Sequence, residues 1–214
     1  MPSPTPPPLP PKPTTDASRA RHLTVVAAVL ATAGAVGWLT LRPRALPVLG
    51  TVPAFALTER SGLPLTSADL AGHVWVANFI FTRCPDFCPA LTSRMASLQQ
   101  TLVPAADPIR LVSFSVDPAT DAPEVLRVYA ARAGAGDRWL FVTGARDALA
   151  TLLRDGFRVA YADDGPPTAP ITHSDRFVLV DRQLRIRGYY HGTEAADVDR
   201  LARDALALRD GRVS

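Results

Sequence analysis

Cysteine is scarce in this 214-residue chain: there are two, Cys84 and Cys88, four residues apart. A disulfide scaffold needs more cysteines at wider spacing, so that class is excluded, and one close pair points instead to a redox or metal site. Lysine is rarer still, with Lys12 alone among the 23 basic residues. That bias is read as compositional and carries no function. A cationic face for nucleic acid is also missing. Residues 1–44 hold five basic side chains (Lys12, Arg19, Arg21, Arg42, Arg44) and one acidic one, Asp16. This leaves 18 of the 23 basic and 19 of the 20 acidic side chains to the other 170 residues. The net charge of +3 therefore belongs to the N-terminal region, and the rest is close to neutral. No internal repeat is present, which argues against solenoids and propellers.

The first 22 residues are rich in Pro, Ser and Thr and lack apolar periodicity. They are expected to form a disordered or polyproline-like tail, a spacer rather than a proline-motif ligand. Residues 23–41 then run 19 positions without a charge. At ~1.5 Å per residue they match the ~30 Å hydrocarbon core of a bilayer. A single transmembrane anchor is expected there, with Trp38 near one interface. The rival reading is a cleaved signal peptide, with Ala31-Thr32-Ala33 as its processing site; the long tail argues against it. Lys12, Arg19 and Arg21 on one side, against Arg42 and Arg44 on the other, lean towards a cytoplasmic N-terminus. The remainder would then face the periplasm or an equivalent extracytoplasmic compartment, on a single-pass protein of the cell (inner) membrane. Residues 42–53 read as a linker and 54–210 as one α/β domain.

Within that domain, strands and helices alternate. Phe55–Thr58 and Leu63–Leu65 suit a hairpin turning at Ser61-Gly62. Val74–Phe81 and Arg110–Val116 are continuous apolar runs of the kind that fill central strands. Ala90–Leu102 carries Leu91, Met95, Leu98 and Leu102 on one helical face. Helices are further expected over Asp121–Arg132, over Ala145–Arg154 and from Thr193 or Glu194 onward. Strands are expected over Trp139–Val142, Phe177–Val180 and Arg185–Tyr190, the last two joined around Asp181-Arg182-Gln183. This order, β-α-β with a closing hairpin and helix, predicts a thioredoxin-like fold.

The cysteines fall where a central strand gives way to a helix, in Phe81-Thr82-Arg83-Cys84-Pro85-Asp86-Phe87-Cys88-Pro89. At i and i+4 the two sulfurs share a face. The helix N-terminus and Arg83 favour thiolates, while Asp86 opposes them. Such a pair can exchange disulfides or hold a soft ion such as Cu(I); a structural disulfide is the bland alternative. His173, in Pro170-Ile171-Thr172-His173-Ser174, precedes a buried strand whose loop faces the cysteine helix in such folds. It reads either as a surface-loop histidine or as the third ligand of a Cys2His copper set; structural zinc would want a fourth ligand. His191 and His73 read as turn or surface residues, and His22 has no role beyond charge. Asp121 reads as a helix N-cap, and Asp117, at a strand end, as a side chain close to the site.

These residues resemble the Sco/SenC family of copper-binding proteins. The resemblance rests on Phe81–Pro89, on Ser115-Val116-Asp117-Pro118-Ala119-Thr120-Asp121-Ala122-Pro123-Glu124 and on His173-Ser174-Asp175-Arg176-Phe177-Val178-Leu179-Val180-Asp181. It spans about residues 52–208. It implies a thioredoxin fold in the periplasm or mitochondrial intermembrane space, with one copper, Cu(I) or Cu(II), held by Cys84, Cys88 and His173. It also implies a partner, subunit II of cytochrome c oxidase, whose dinuclear Cu-A centre such proteins help assemble. A monomeric metallochaperone rather than an enzyme is expected. The alternative is a thiol-disulfide oxidoreductase or redox sensor using the same cysteines; a peroxidase is a distant third. Two features depart from the family pattern, the charged Ser-Asp-Arg run after His173 and the short Gly165–Pro167 stretch before it.

Overall fold

Every residue of Trp75–Ile80 (β4) is buried, which is why this run contains no alternating polar face. In the computed structural model β4 lies at the centre of an eight-stranded sheet, ordered β1-β10-β9-β4-β5-β6-β2-β3. The structure describes residues 45–84, 88–103, 107–162 and 171–213. The expected tail (1–22), apolar run (23–41), start of the linker (42–44), Pro85-Asp86-Phe87 and Gly165–Pro167 lie outside the described residues. Among the described residues no helix is long and apolar enough to cross a membrane.

Strands β5 (Arg110–Ser115) and β6 (Trp139–Thr143) run parallel in the sequence β4-β5-β6, and β9 (Arg176–Val180) pairs antiparallel with β4 on its other side. Strand β10 (Arg185–His191) follows β9 in a hairpin. Its turn is fixed by Asp181, whose Oδ1 accepts from the backbone N–H groups of Gln183 and Arg185, both at 3.0 Å. The β2–β3 hairpin, Ala56–Glu59 and Pro64–Thr66, closes the opposite edge. Gly62 in its turn has φ +87°, a left-handed conformation that glycine adopts without strain.

Successive β4 side chains enter two different cores. Val76 and Ile80 join Leu91, Met95, Leu98 and Leu102 of α2 (Cys88–Leu102), Leu126 of α3 (Pro123–Arg132) and Leu201 of α5 (Ala195–Arg209). Trp75, Ala77 and Phe79 join Leu70 of α1 (Ser67–Leu70), Leu149 of α4 (Arg146–Thr151), Phe114 and Phe157. Helices therefore cover both faces, and the expected period of 3.6 along α2 is the one that packs. The main elements agree with the sequence reading to within a few residues. Beyond α4 the chain widens into one π-helical turn, Leu152–Gly156.

Besides the one-turn helix α1, three short strands were not expected. Residues 45–53 do not behave as a linker. Leu46 and Val52 are buried, Gly50–Thr51 (β1) pairs with β10, and Leu49 and Val52 donate backbone bonds to Ile186 and Leu184. The cause is the open edge of β10, whose backbone groups need partners. The domain accordingly includes this segment. The other two are β7 (Tyr161–Ala162) and β8 (Thr172–His173), which pair with each other in a separate ribbon.

Candidate metal centre

Strand β4 delivers the chain to the site. After Ile80 it turns at Phe81–Cys84, closed by a bond from Cys84 N to Phe81 O of 3.2 Å. Cys84 lies in the Phe81–Cys84 turn and Cys88 in α2, so the two sulfurs are carried by different elements rather than by one helical face. Pro89 occupies the first helical turn, where an amide donor has no intrahelical acceptor to lose. His173 arrives on β8, opposite Tyr161. One sulfur from a turn, one from a helix start and one imidazole from a ribbon thus converge, and their ligand atoms lie within 4.8 Å of one another. Both cysteines are free thiols; Cys88 is buried and Cys84 half-buried.

The imidazole is oriented. Its Nδ1 lies 3.0 Å from the carbonyl of Ser174, which can only accept, so Nδ1 carries the proton and Nε2 presents its lone pair. That Nε2 faces Cys88 Sγ at 3.3 Å. The Phe81 ring stands edge-on to the imidazole at 5.6 Å. Burial lowers the His173 pKa, with the Ser174 carbonyl pulling the other way. Burial also pushes the Cys88 thiol well above its usual range; the Cys84 thiol adds to this and a backbone bond from Phe81 opposes it. Both shifts favour the uncharged forms, in which the Cys88 thiol donates to the His173 Nε2 lone pair. At Cys88 the favourable influence of the helix start is outweighed by burial.

Two carboxylates frame the turn. Asp117 accepts from Arg83 Nη2 at 3.1 Å, and the same nitrogen reaches Thr120 Oγ1 at 2.7 Å, so Arg83 is engaged away from the sulfurs. Asp117 thus stands beside the site, as expected. Asp121 does not cap α3: the N-cap is Ala122, and its helix starts at Pro123. The Asp121 carboxylate is fully buried and accepts from Thr82 and Ser115 instead. Sequence reasoning missed this because Asp-Ala-Pro-Glu reads as an ordinary helix start, and its real neighbour, Thr82, is distant in the chain. His191 pairs with Asp175 at 3.0 Å and His73 contacts Arg110 at 2.9 Å; neither joins the site. His22 lies outside the described residues.

Two soft sulfurs and an imidazole with its lone pair exposed to them suit a soft or borderline metal, taken up with loss of the thiol protons. The same two thiols, this close, also suit reversible disulfide formation. The fold and the site together define a thioredoxin-like protein with a partly buried Cys2His group.

Residues 47–207 match the family model SCO1/SenC, and the chain belongs to that family. The SCO1 protein homolog of Bacillus subtilis (strain 168) is 31% identical over 160 residues, covering 74% of this chain and 82% of the relative. Among solved structures, BsSco is described as a member of the Sco family of cytochrome c oxidase assembly proteins in which a disulfide switch was identified. It superposes with a TM-score of 0.69 at 29% identity, over 78% of this chain and 97% of its own. ScoI of Bradyrhizobium japonicum, solved with copper bound, shares the fold with a TM-score of 0.63 at 21% identity, over 74% and 99% of the two chains.

Proposed function

We propose that this protein is a membrane-anchored copper carrier that holds one ion through Cys84, Cys88 and His173 and delivers it to the Cu-A site of cytochrome c oxidase subunit II. One observation carries the reading: three soft or borderline donors from three separate elements lie within 4.8 Å, with the imidazole Nε2 turned towards the sulfurs. The copper-bound ScoI and the oxidase-assembly role of BsSco support the choice of ion and acceptor. Thiolates favour Cu(I), and the imidazole makes Cu(II) acceptable as well. The uncharged run at 23–41 supports an anchor, with the domain on the extracytoplasmic side, so donor and acceptor share one membrane.

Transfer proceeds by ligand exchange. Cys84 is the more accessible sulfur and Cys88 the buried one, so an incoming acceptor thiolate displaces Cys84 first and Cys88 with His173 last. The test uses the reduced full-length chain in detergent, loaded with one equivalent of copper and mixed with an apo acceptor domain bearing paired cysteines. Movement of copper to the acceptor is expected. Failure to bind an equivalent, or retention of it against the acceptor, contradicts the reading. In the latter case the second reading, reduction of the acceptor's cysteines by the Cys84–Cys88 dithiol, gains; the approach of the two sulfurs to within 4.8 Å favours it.

A further inference from the structure

Asp121 is the most costly polar group next to the site. It is 0% exposed, and its partners Thr82 and Ser115 are neutral. A buried carboxylate is expensive unless its hydrogen bonds are made. Here they are, and they converge on one place. Thr82 Oγ1 donates to Oδ1 at 2.6 Å, and the Thr82 backbone N–H reaches both oxygens at 3.3 and 3.2 Å. Ser115 Oγ donates to Oδ2 at 2.7 Å and accepts from Asp117 N at 3.1 Å. Asp121 is itself anchored by its N–H on the Asp117 carbonyl, 2.9 Å. Thr82 lies inside the Phe81–Cys84 turn, two residues before the exposed-side sulfur. The carboxylate therefore joins that turn to the end of β5 through a contact that is buried on the Asp121 and Ser115 side and half-buried at Thr82. The outer clasp from Arg83 to Asp117 and Thr120 repeats the connection at the surface, where Arg83 is 68% exposed and the bond is weak.

We propose that Asp121 is the positioning residue of the metal centre: its hydrogen bonds to Thr82 hold the Phe81–Cys84 turn so that Cys84 Sγ stays opposite Cys88 and His173. The copper arm of this inference rests on the proposed function; the thiol arm does not. Asparagine can keep the geometry, since its Oδ1 still accepts from Thr82 and its Nδ2 can donate to Ser115 Oγ. Alanine cannot.

The experiment compares the full-length parent, Asp121→Asn, Asp121→Ala and Thr82→Val. Copper affinity is read by competition with a Cu(I) chelator. Independently, metal-free protein is equilibrated with glutathione: the Cys84–Cys88 dithiol is oxidised to the disulfide while glutathione disulfide is reduced to two glutathione thiols. The constant for that exchange reports how readily the two sulfurs meet. For Asp121→Ala a loss of roughly 10- to 100-fold in copper affinity is expected, with Asp121→Asn within about threefold of the parent. The disulfide constant should fall about tenfold in Asp121→Ala and hold in Asp121→Asn. If Asp121→Ala does not fold, Thr82→Val, which removes the shortest of the bonds, is expected to move both readouts in the same direction. Parental values in Asp121→Ala, or in Thr82→Val where that stands in for it, overturn the proposal; so does an Asp121→Asn variant that falls as far as Asp121→Ala. A parent that binds no copper, yet shows the disulfide effect, removes the carrier reading and leaves the positioning role standing.

Discussion

The two ends of the central sheet handle buried polar groups in opposite ways. At the start of β4, Trp75 pairs with Val180, the neighbour of Asp181. There Asp181 Oδ2 accepts from Arg187 Nη1 and Arg185 Nε, both at 2.8 Å, while Oδ1 takes two backbone N–H groups. Arg187, its side chain 1% exposed, also donates to the carbonyls of Pro47 and Leu46. Charge and hydrogen bonds match at this end, and the entering chain is fastened to the sheet. At the other end, beyond Ile80, three lone-pair donors crowd together, and burial favours the uncharged forms of Cys88 and His173. Shape is fixed there, and the sulfurs remain free to bind an ion or to pair as a disulfide. The difference separates stability from function: changes at the Asp181 end should weaken the fold and spare metal binding, and changes at the cysteine end should do the reverse.

The largest expected effect tests the matched end. Arg187→Met leaves Asp181 buried with only part of its support, and should cost about 3 kcal/mol in urea unfolding, with copper affinity unchanged. Its pH signature has a definite sign. Burial raises the Asp181 pKa, but the bonds from Arg187 and Arg185 more than offset this and leave it below the ordinary aspartate value. The carboxylate's contribution is therefore complete above that value and is lost as pH falls through it towards the folded one. The acid limb of the stability curve should be shallower in Arg187→Met; an identical limb would contradict the assignment. Next comes Cys88→Ser, expected to lose more than about 100-fold in copper affinity, since even an outer-shell contact is worth 10- to 100-fold, while the melting midpoint stays near that of the reduced parent.

Smaller is Gly192→Ala. A Cβ there would lie 2.6 Å from Leu91 Cδ2, 2.7 Å from Phe177 Cε1 and 2.9 Å from the Asp175 carbonyl. Overpacking of this kind costs about 1–3 kcal/mol, measurable by chemical denaturation, and it pushes on α2 close to Cys88. The smallest is Arg83→Ala. The pair with Asp117 is exposed on its arginine side, so the loss should be about 1 kcal/mol or less and diminish with added salt. A large effect would mean that the surface clasp, not Asp121, holds the turn.

How legible this was in the sequence follows from the physics of each part. The apolar run at Val74–Phe81 and the helical stripe from Leu91 to Leu102 declare themselves, because burial on both faces or on one leaves a periodic record. The pair Cys84 and Cys88 stood out because two close thiols at a strand-to-helix junction have few other uses; the residues alone left His173 open between a surface loop and a ligand, and only the fold brings it within 4.8 Å of the sulfurs. The two-residue strands β1, β7 and β8 leave no period to detect; they form because an open edge or a neighbouring ribbon supplies the bonds. Arg187 was invisible for a different reason: an arginine in Arg-Ile-Arg-Gly-Tyr-Tyr reads as the outward side of a strand, and only the fold brings Asp181 and the Leu46 and Pro47 carbonyls around it. Asp121 was misread because local pattern favours a helix cap, whereas its partner Thr82 comes from another strand's end.

The central claim is that Cys84, Cys88 and His173 together form one copper site. Copper-edge X-ray absorption on the reduced full-length chain with one equivalent bound, beside His173→Ala, tests it most directly. The account predicts two sulfur scatterers and one nitrogen scatterer in the parent, and loss of the nitrogen alone in the variant. An unchanged copper environment in His173→Ala, or a parent site without two sulfurs, would contradict it.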